Sequence, residues 1–234
     1  IGKSSSAAHR ATKSISYNTG IVTVSGDIAG LGSAASSNAK IKKATFSDQG
    51  SNLLNSLTDI SNLFNGAIIL TSDKIDFSEW DMSSVVNMQG TFEGCRALTN
   101  FDVSSFDTSS VTSMGSIFKN CVGLQSITLG SSFDTSLVEN FSEMFSGCKN
   151  LTTLNNLNSL DTSSATNMSN MFRGCSSLSS LDISSFNTSE VTNMASMFDN
   201  YKGSSITFGA DWSVEKVTNM DFMFRSASNM SQTD

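Results

Sequence analysis

Apolar and polar residues along this chain alternate in two distinct rhythms. In Leu181-Asp-Ile183 every second residue is apolar, the period of a half-buried strand. Ile75-Asp-Phe77, Phe101-Asp-Val103, Ile127-Thr-Leu129 and Ile206-Thr-Phe208 repeat the pattern. The second rhythm runs through Val191-Thr-Asn-Met-Ala-Ser-Met-Phe198, where two methionines and a phenylalanine stand at i, i+3 and i+4. That spacing puts all three on one side of a single helical turn, with Thr192 or Asn193 as its N-cap. Between the two rhythms lie Asp107-Thr-Ser, Asp134-Thr-Ser, Asp161-Thr-Ser and Asn187-Thr-Ser. Their leading side chains suit an Asx-turn, accepting a nearby backbone N–H. The predicted order is strand, turn, short helical turn, strand.

These elements recur at a fixed pitch. Phe92, Phe118, Phe145, Phe172, Phe198 and Phe224 are separated by 26, 27, 27, 26 and 26 residues. Asn or Ser precedes each by five positions, and Cys95, Cys121, Cys148 and Cys175 follow the first four by three. A weaker unit with Phe64 comes before them, so about six and a half units fill residues 60–234, the last incomplete. No unit can shelter its apolar side alone, and stability is expected from neighbours stacked in parallel at ~4.8 Å. The strands should then join in one continuous sheet over a shared spine of Phe, Met and Leu. Residues 1–20 read as a Ser-rich flexible leader, and 21–59 as divergent N-terminal repeats or a cap with strand candidates at Ile21–Val24 and Ile41–Phe46. Ile1 reads as the start of a processed or trimmed chain, with no apolar signal segment in view. The final unit stops at Asp234, where its strand is due, so further chain, a partner or a second subunit is expected over that end.

Composition narrows the function classes. The 234 residues carry 14 Lys+Arg against 21 Asp+Glu, a net charge of −7, which argues against a nucleic-acid partner. No stretch approaches the ~18 apolar residues of a membrane span. Only 15% of residues are charged while 38% are hydrophobic, so wholesale disorder is not expected. Proline is absent. A stacked array uses nearly every backbone N–H, and proline has none to give.

The segment Asn167–Thr192, NMSNMFRGCSSLSSLDISSFNTSEVT, resembles a leucine-rich repeat through Leu178-x-x-Leu181-x-Ile183. Its MFxGCxxLxxLDxSxFxTSxVTNM pattern is similar to the BspA-like repeats of bacterial surface proteins, over about three quarters of the chain. The resemblance implies an α/β solenoid of the leucine-rich-repeat type: a parallel sheet with one short strand per unit, and short helical turns on the other face. It further implies an extracellular, cell-surface module without catalytic activity or cofactor, which adheres to a protein or glycan. One departure stands out. Where the general pattern has Asn or Cys after the strand, this chain has Trp80, Phe106, Phe133, Leu160, Phe186 and Trp212, so an aromatic ladder is expected to brace that turn.

The binding candidates are the outward strand residues Asp76, Asp102, Thr128, Asn155, Asp182 and Thr207, beside Ser78, Ser104, Gly130, Ser184 and Gly209. They form a small, mildly acidic column on the face that such arrays use for binding, with a merely solvated face as the alternative. The four cysteines leave three readings: buried thiols, disulfides between neighbouring units, or a metal site. Parallel side chains favour the first. Asp81, Asp107, Asp134, Asp161 and Asn187 either stack as a calcium-attracting column or each cap their own turn. The only histidine is His9, in the leader, so a His-dependent catalytic site within the array is not expected. Pairs such as Met168/Met171 and Met194/Met197 read as core rather than copper ligands. A third reading is ice or mineral binding through the Thr108, Thr135, Thr162, Thr188 column. The functional alternative is a structural subunit of a sheath, fibre or virion surface, self-associating through the C-terminal end.

Overall fold

The computed structural model describes residues 21–24, 43–46, 58–77 and 81–230. The leader with His9, and Ser78 and Trp80, lie outside the described residues, as do residues 231–234. Eight short strands are described: β1 (Ile21–Val24), β2 (Lys43–Phe46), β3 (Ile75–Asp76), β4 (Asn100–Asp102), β5 (Ser126–Thr128), β6 (Thr153–Asn155), β7 (Ser180–Ile183) and β8 (Ser205–Phe208). All their pairings are parallel and join consecutive strands, as β-strands one repeat apart must. Register follows the repeat, with Phe101 opposite Ile127 and Ile127 opposite Leu154.

The strands do not make the single continuous sheet expected. They form three, β1-β2-β3, β4-β5-β6 and β7-β8. Unequal chain paths explain both breaks. From the repeat phenylalanine to the strand centre takes nine residues in Phe92–Phe101, Phe118–Ile127, Phe145–Leu154 and Phe172–Leu181, but eleven in Phe64–Ile75. The surplus enters a 3-10 turn at Ser72–Lys74, and β3 pairs back to β2 rather than forward to β4. The second break follows Asn156, which is left-handed (φ 61°) and turns the chain into a 3-10 segment at Leu157–Ser159. Ile183 at the equivalent of Asn156 instead extends its strand.

Continuity lies on the other side of the units. Parallel bridges run from Asp59 to Asn87, Ser113, Asn140, Asn167, Asn193 and Asn219 without a gap. The expected helical turn after them is a run of tight turns, and the helices among the described residues are the two 3-10 segments. Alternate N–H groups have different destinations. Phe141, Glu143, Phe145 and Gly147 donate to Asn167, Ser169, Met171 and Arg173 of the next unit at 2.7–2.9 Å. Met144, Ser146 and Cys148 donate back three residues, to Phe141, Glu143 and Phe145. A helix is ruled out by left-handed residues on both sides of the phenylalanine, such as Glu143 (φ 60°) and Gly147 (φ 75°). Position +2 is accordingly Gly66, Gly94, Asn120, Gly147, Gly174 or Asn200, residue types that tolerate that conformation, with Ser226 (φ 60°) the exception in the last described unit.

The interior is a stacked phenylalanine column. Neighbouring rings from Phe64 to Phe224 lie 5.3–6.0 Å apart and within 17° of parallel. Val111, Met144, Met168, Met171, Met194 and Met197 are fully buried beside it, as the core reading of the methionines requires. Phe106, Phe133, Leu160 and Phe186 are buried and Trp212 partly so, but the aromatic ladder expected of that column stands in the other one. Phe106 instead meets Phe77, Phe92 and Phe101 at 4.6–6.4 Å. In the last described unit Met220, Phe222 and Phe224 are exposed. No described helix is long and apolar enough to cross a membrane.

Candidate functional site

The outward strand residues are distributed by the sheet breaks. Asp102, Thr128 and Asn155 come into direct register on β4, β5 and β6. Asp182 and Thr207 pair on β7 and β8, and Asp76 faces Thr45 on β2. Five of the six are exposed and Thr128 is half-buried. The column is thus three groups rather than one run. Their local bonds are specific: Asn155 Nδ2 donates to Thr128 Oγ1 at 3.1 Å, while Asp102 Oδ1 and Asp182 Oδ1 accept the N–H of Ser104 and Ser184 at 2.8 and 3.0 Å. The Ser184 bonds hold the Asp182 carboxyl below the usual carboxylate range. Asp102 and Asp182 each therefore spend one oxygen on their own turn.

The turn acids behave likewise. Asp81, Asp107, Asp134, Asp161 and Asn187 each accept the backbone N–H two residues on, at 2.9–3.1 Å. These are the Asx-turns read from the sequence. The threonine column next to them corrects the idea of an ice- or mineral-binding face. Thr108, Thr135, Thr162 and Thr188 are buried, and their hydroxyls donate to the carbonyls of Asp134, Asp161, Asn187 and Ser213 in the next unit at 2.7–2.9 Å. A donor stacked one unit from a carbonyl satisfies both groups away from water.

Cys95, Cys121, Cys148 and Cys175 are free thiols. Each Sγ lies 3.0–3.1 Å from a phenylalanine carbonyl of the preceding unit, respectively Phe64, Phe92, Phe118 and Phe145. Burial pushes all four thiols up, Cys175 to about 12. A thiolate nucleophile or thiolate metal ligand is not available from such groups at neutral pH.

One charged arrangement escaped the sequence reading. Residues flanking the phenylalanines form ion pairs between units. Lys119 meets Glu143 at 2.5 Å and Glu93 at 3.9 Å, and the nearly buried Asp199 lies between Arg173 (3.2 Å) and Arg225 (2.6 Å). Bonding to Arg225, then the charge of both arginines, holds the Asp199 carboxyl below its ordinary value. A lowered carboxyl stabilises the fold above its unfolded value of about 3.9, and that stabilisation is lost as pH falls through the folded value. Asp199→Asn should therefore lower the thermal midpoint by a constant amount above about pH 5, and the gap to the parent should close below about pH 4. Thermal melts across pH 2.5–7 check this; a pH-independent gap would refute it.

Among the described residues no three His, Cys, Asp or Glu side chains come together as a metal site. A family model described as "Mycoplasma protein of unknown function, DUF285" matches residues 34–129 and 124–234. The crystal structure of a leucine-rich repeat protein from Bacteroides ovatus is similar at 17% identity and a TM-score of 0.35, over 80% of this chain and 53% of that one. The chain thus spans about half the length of that structure. No curated protein matches it.

Proposed function

The chain belongs to the family described as Mycoplasma protein of unknown function, DUF285, and from that premise we propose that it is a recognition or adhesion module. Its units build a leucine-rich-repeat solenoid of the BspA-like kind, displayed outside the cell, which binds a protein or glycan partner without catalysis. The observation that carries this reading is the register of Asp102, Thr128 and Asn155: three small polar side chains side by side on the outer face of a sheet whose inner face is apolar. Parallel stacking repeats such a row at about one strand spacing, which suits an extended ligand contacted weakly at several points.

The test is a panel of immobilised matrix proteins and glycans probed with the parent and with the Asp102→Asn/Asp182→Asn double variant. Asparagine keeps an oxygen for Ser104 and Ser184 while removing the charge. Binding to at least one panel member, weakened tenfold or more in the double variant, is expected. No binder, or binding indifferent to both substitutions, would sink the strand face as the site.

A further inference from the structure

Among near-identical units, a unique pocket needs a place where the repeat is broken, and the break between β3 and β4 supplies one. The bridge from Asp59 to Asn87 holds the two units together on one side, while the Ser72–Lys74 turn parts them on the strand side. Between them lies a cleft of about 560 Å³, within the range of small-molecule sites. Ile75, Phe77 and Phe101 contribute apolar lining. The polar lining includes Asp73, Asn100 and Asp102, joined by Thr71, Ser72 and Thr99.

The polar groups there are incompletely used. Ser72 Oγ is shut off from solvent and is the one such side-chain atom among the described residues with no hydrogen-bond partner. An unmet buried hydroxyl is unfavourable, so a ligand that drew the cleft walls in far enough to meet it would be favoured. Asn100 Oδ1 accepts from Ser126 at 2.8 Å, which leaves its two amide donors unused among the described residues. Asp102 engages Oδ1 with Ser104, and Asp73 accepts from Thr71 and the Lys74 ammonium.

We propose that this cleft is a subsite for a neutral hexose of a glycan. The inference rests on the recognition reading and names its ligand class. A pyranose ring carries an apolar C–H face, matched by the Ile75, Phe77 and Phe101 lining. Around its edge are hydroxyls that both donate and accept, matched by two carboxylates, an amide and an orphan hydroxyl. An acidic ligand would meet Asp73 and Asp102 with the wrong charge.

Saturation-transfer NMR with the methyl glycosides of glucose, galactose, mannose and N-acetylglucosamine, each at millimolar concentration, tests the proposal. At least one should bind, with affinity reduced tenfold or more by Thr99→Trp, which fills the cleft from an exposed position, and by Asp73→Asn. Glu215→Gln, at an exposed position beyond β8 and remote from the cleft, should leave the affinity unchanged. Circular dichroism melts establish that each variant is folded, and Asp73→Asn at an exposed position decides the matter if Thr99→Trp is not. No glycoside binding, or binding retained in the folded cleft variants, overturns the subsite. A protein partner still lost with Asp182→Asn in that event leaves the strand-face reading standing, whereas glycoside binding lost only with Asp182→Asn moves the glycan to the strand face.

Discussion

Replacing Phe145 by alanine should remove about 3–5 kcal/mol of stability, the range for truncating a fully buried phenylalanine. Phe145 has no exposed surface and stacks between Phe118 and Phe172, both 5.8 Å away at 11° and 17°. Each ring pair is worth about 0.5–1.5 kcal/mol beyond burial, so the substitution weakens two unit-to-unit contacts at once. In a fold whose units touch only their neighbours, that loss is local, and the array should come apart at its weakened middle. Guanidinium unfolding followed by circular dichroism and by tryptophan fluorescence checks both parts. Trp80 and Trp212 lie on opposite sides of Phe145 in the sequence, so single-tryptophan versions of the variant should show two separate midpoints where the parent shows one. A loss under about 1 kcal/mol with a single transition would mean that the phenylalanine column does not carry the stacking.

That column was legible in the sequence because burial imposes the same residue type at every turn of the repeat. The strands were legible too, since alternation in Phe101-Asp-Val103 and Leu181-Asp-Ile183 has only one structural meaning. The turn was misread for a physical reason. Met194, Met197 and Phe198 stand at helical spacing, but consecutive tight turns bring i, i+3 and i+4 to one side just as a helix does. The discriminating signal was the Gly or Asn two residues after every phenylalanine from Phe64 to Phe198, residues that accept the left-handed φ which forbids a helix. Thr108 and its equivalents looked like a polar surface because an Asp-Thr-Ser tripeptide hides which of its three side chains turns inward. Asp199 was overlooked because its partners Arg173 and Arg225 are each 26 residues away, a separation that matters only once units are stacked. The cleft was readable only as arithmetic, eleven residues from Phe64 to Ile75 where its neighbours use nine. Which polar groups that surplus would leave unmet depends on coordinates.

Gly130→Ala is expected to cost about 1–3 kcal/mol, the usual penalty for forcing atoms into a filled space, although alanine is the better residue on backbone entropy alone. Gly130 follows β5 just where the chain end of β4 closes over it. A Cβ there would stand 2.6 Å from Ser104 Cβ, 2.7 Å from Ser104 O and 2.8 Å from Ser104 Cα. Two of those three atoms are backbone, so no rotamer change relieves the contact and the strands must part. Gly174 is the informative comparison. Its φ of +71° is left-handed, yet the nearest atoms to an added Cβ are 3.8 Å away, so Gly174→Ala meets only the conformational cost of about 1–2 kcal/mol. The two substitutions should therefore differ in kind. Gly130→Ala separates β4 from β5 and speeds amide exchange at Val103 and Ser126, whose N–H groups cross that seam, whereas Gly174→Ala lowers stability without opening any strand pair. Since Asp102 and Thr128 sit on those two strands, Gly130→Ala should also weaken any partner that bridges them, and hydrogen exchange that stayed unchanged there would show the sheet to be slack enough to absorb a methyl group.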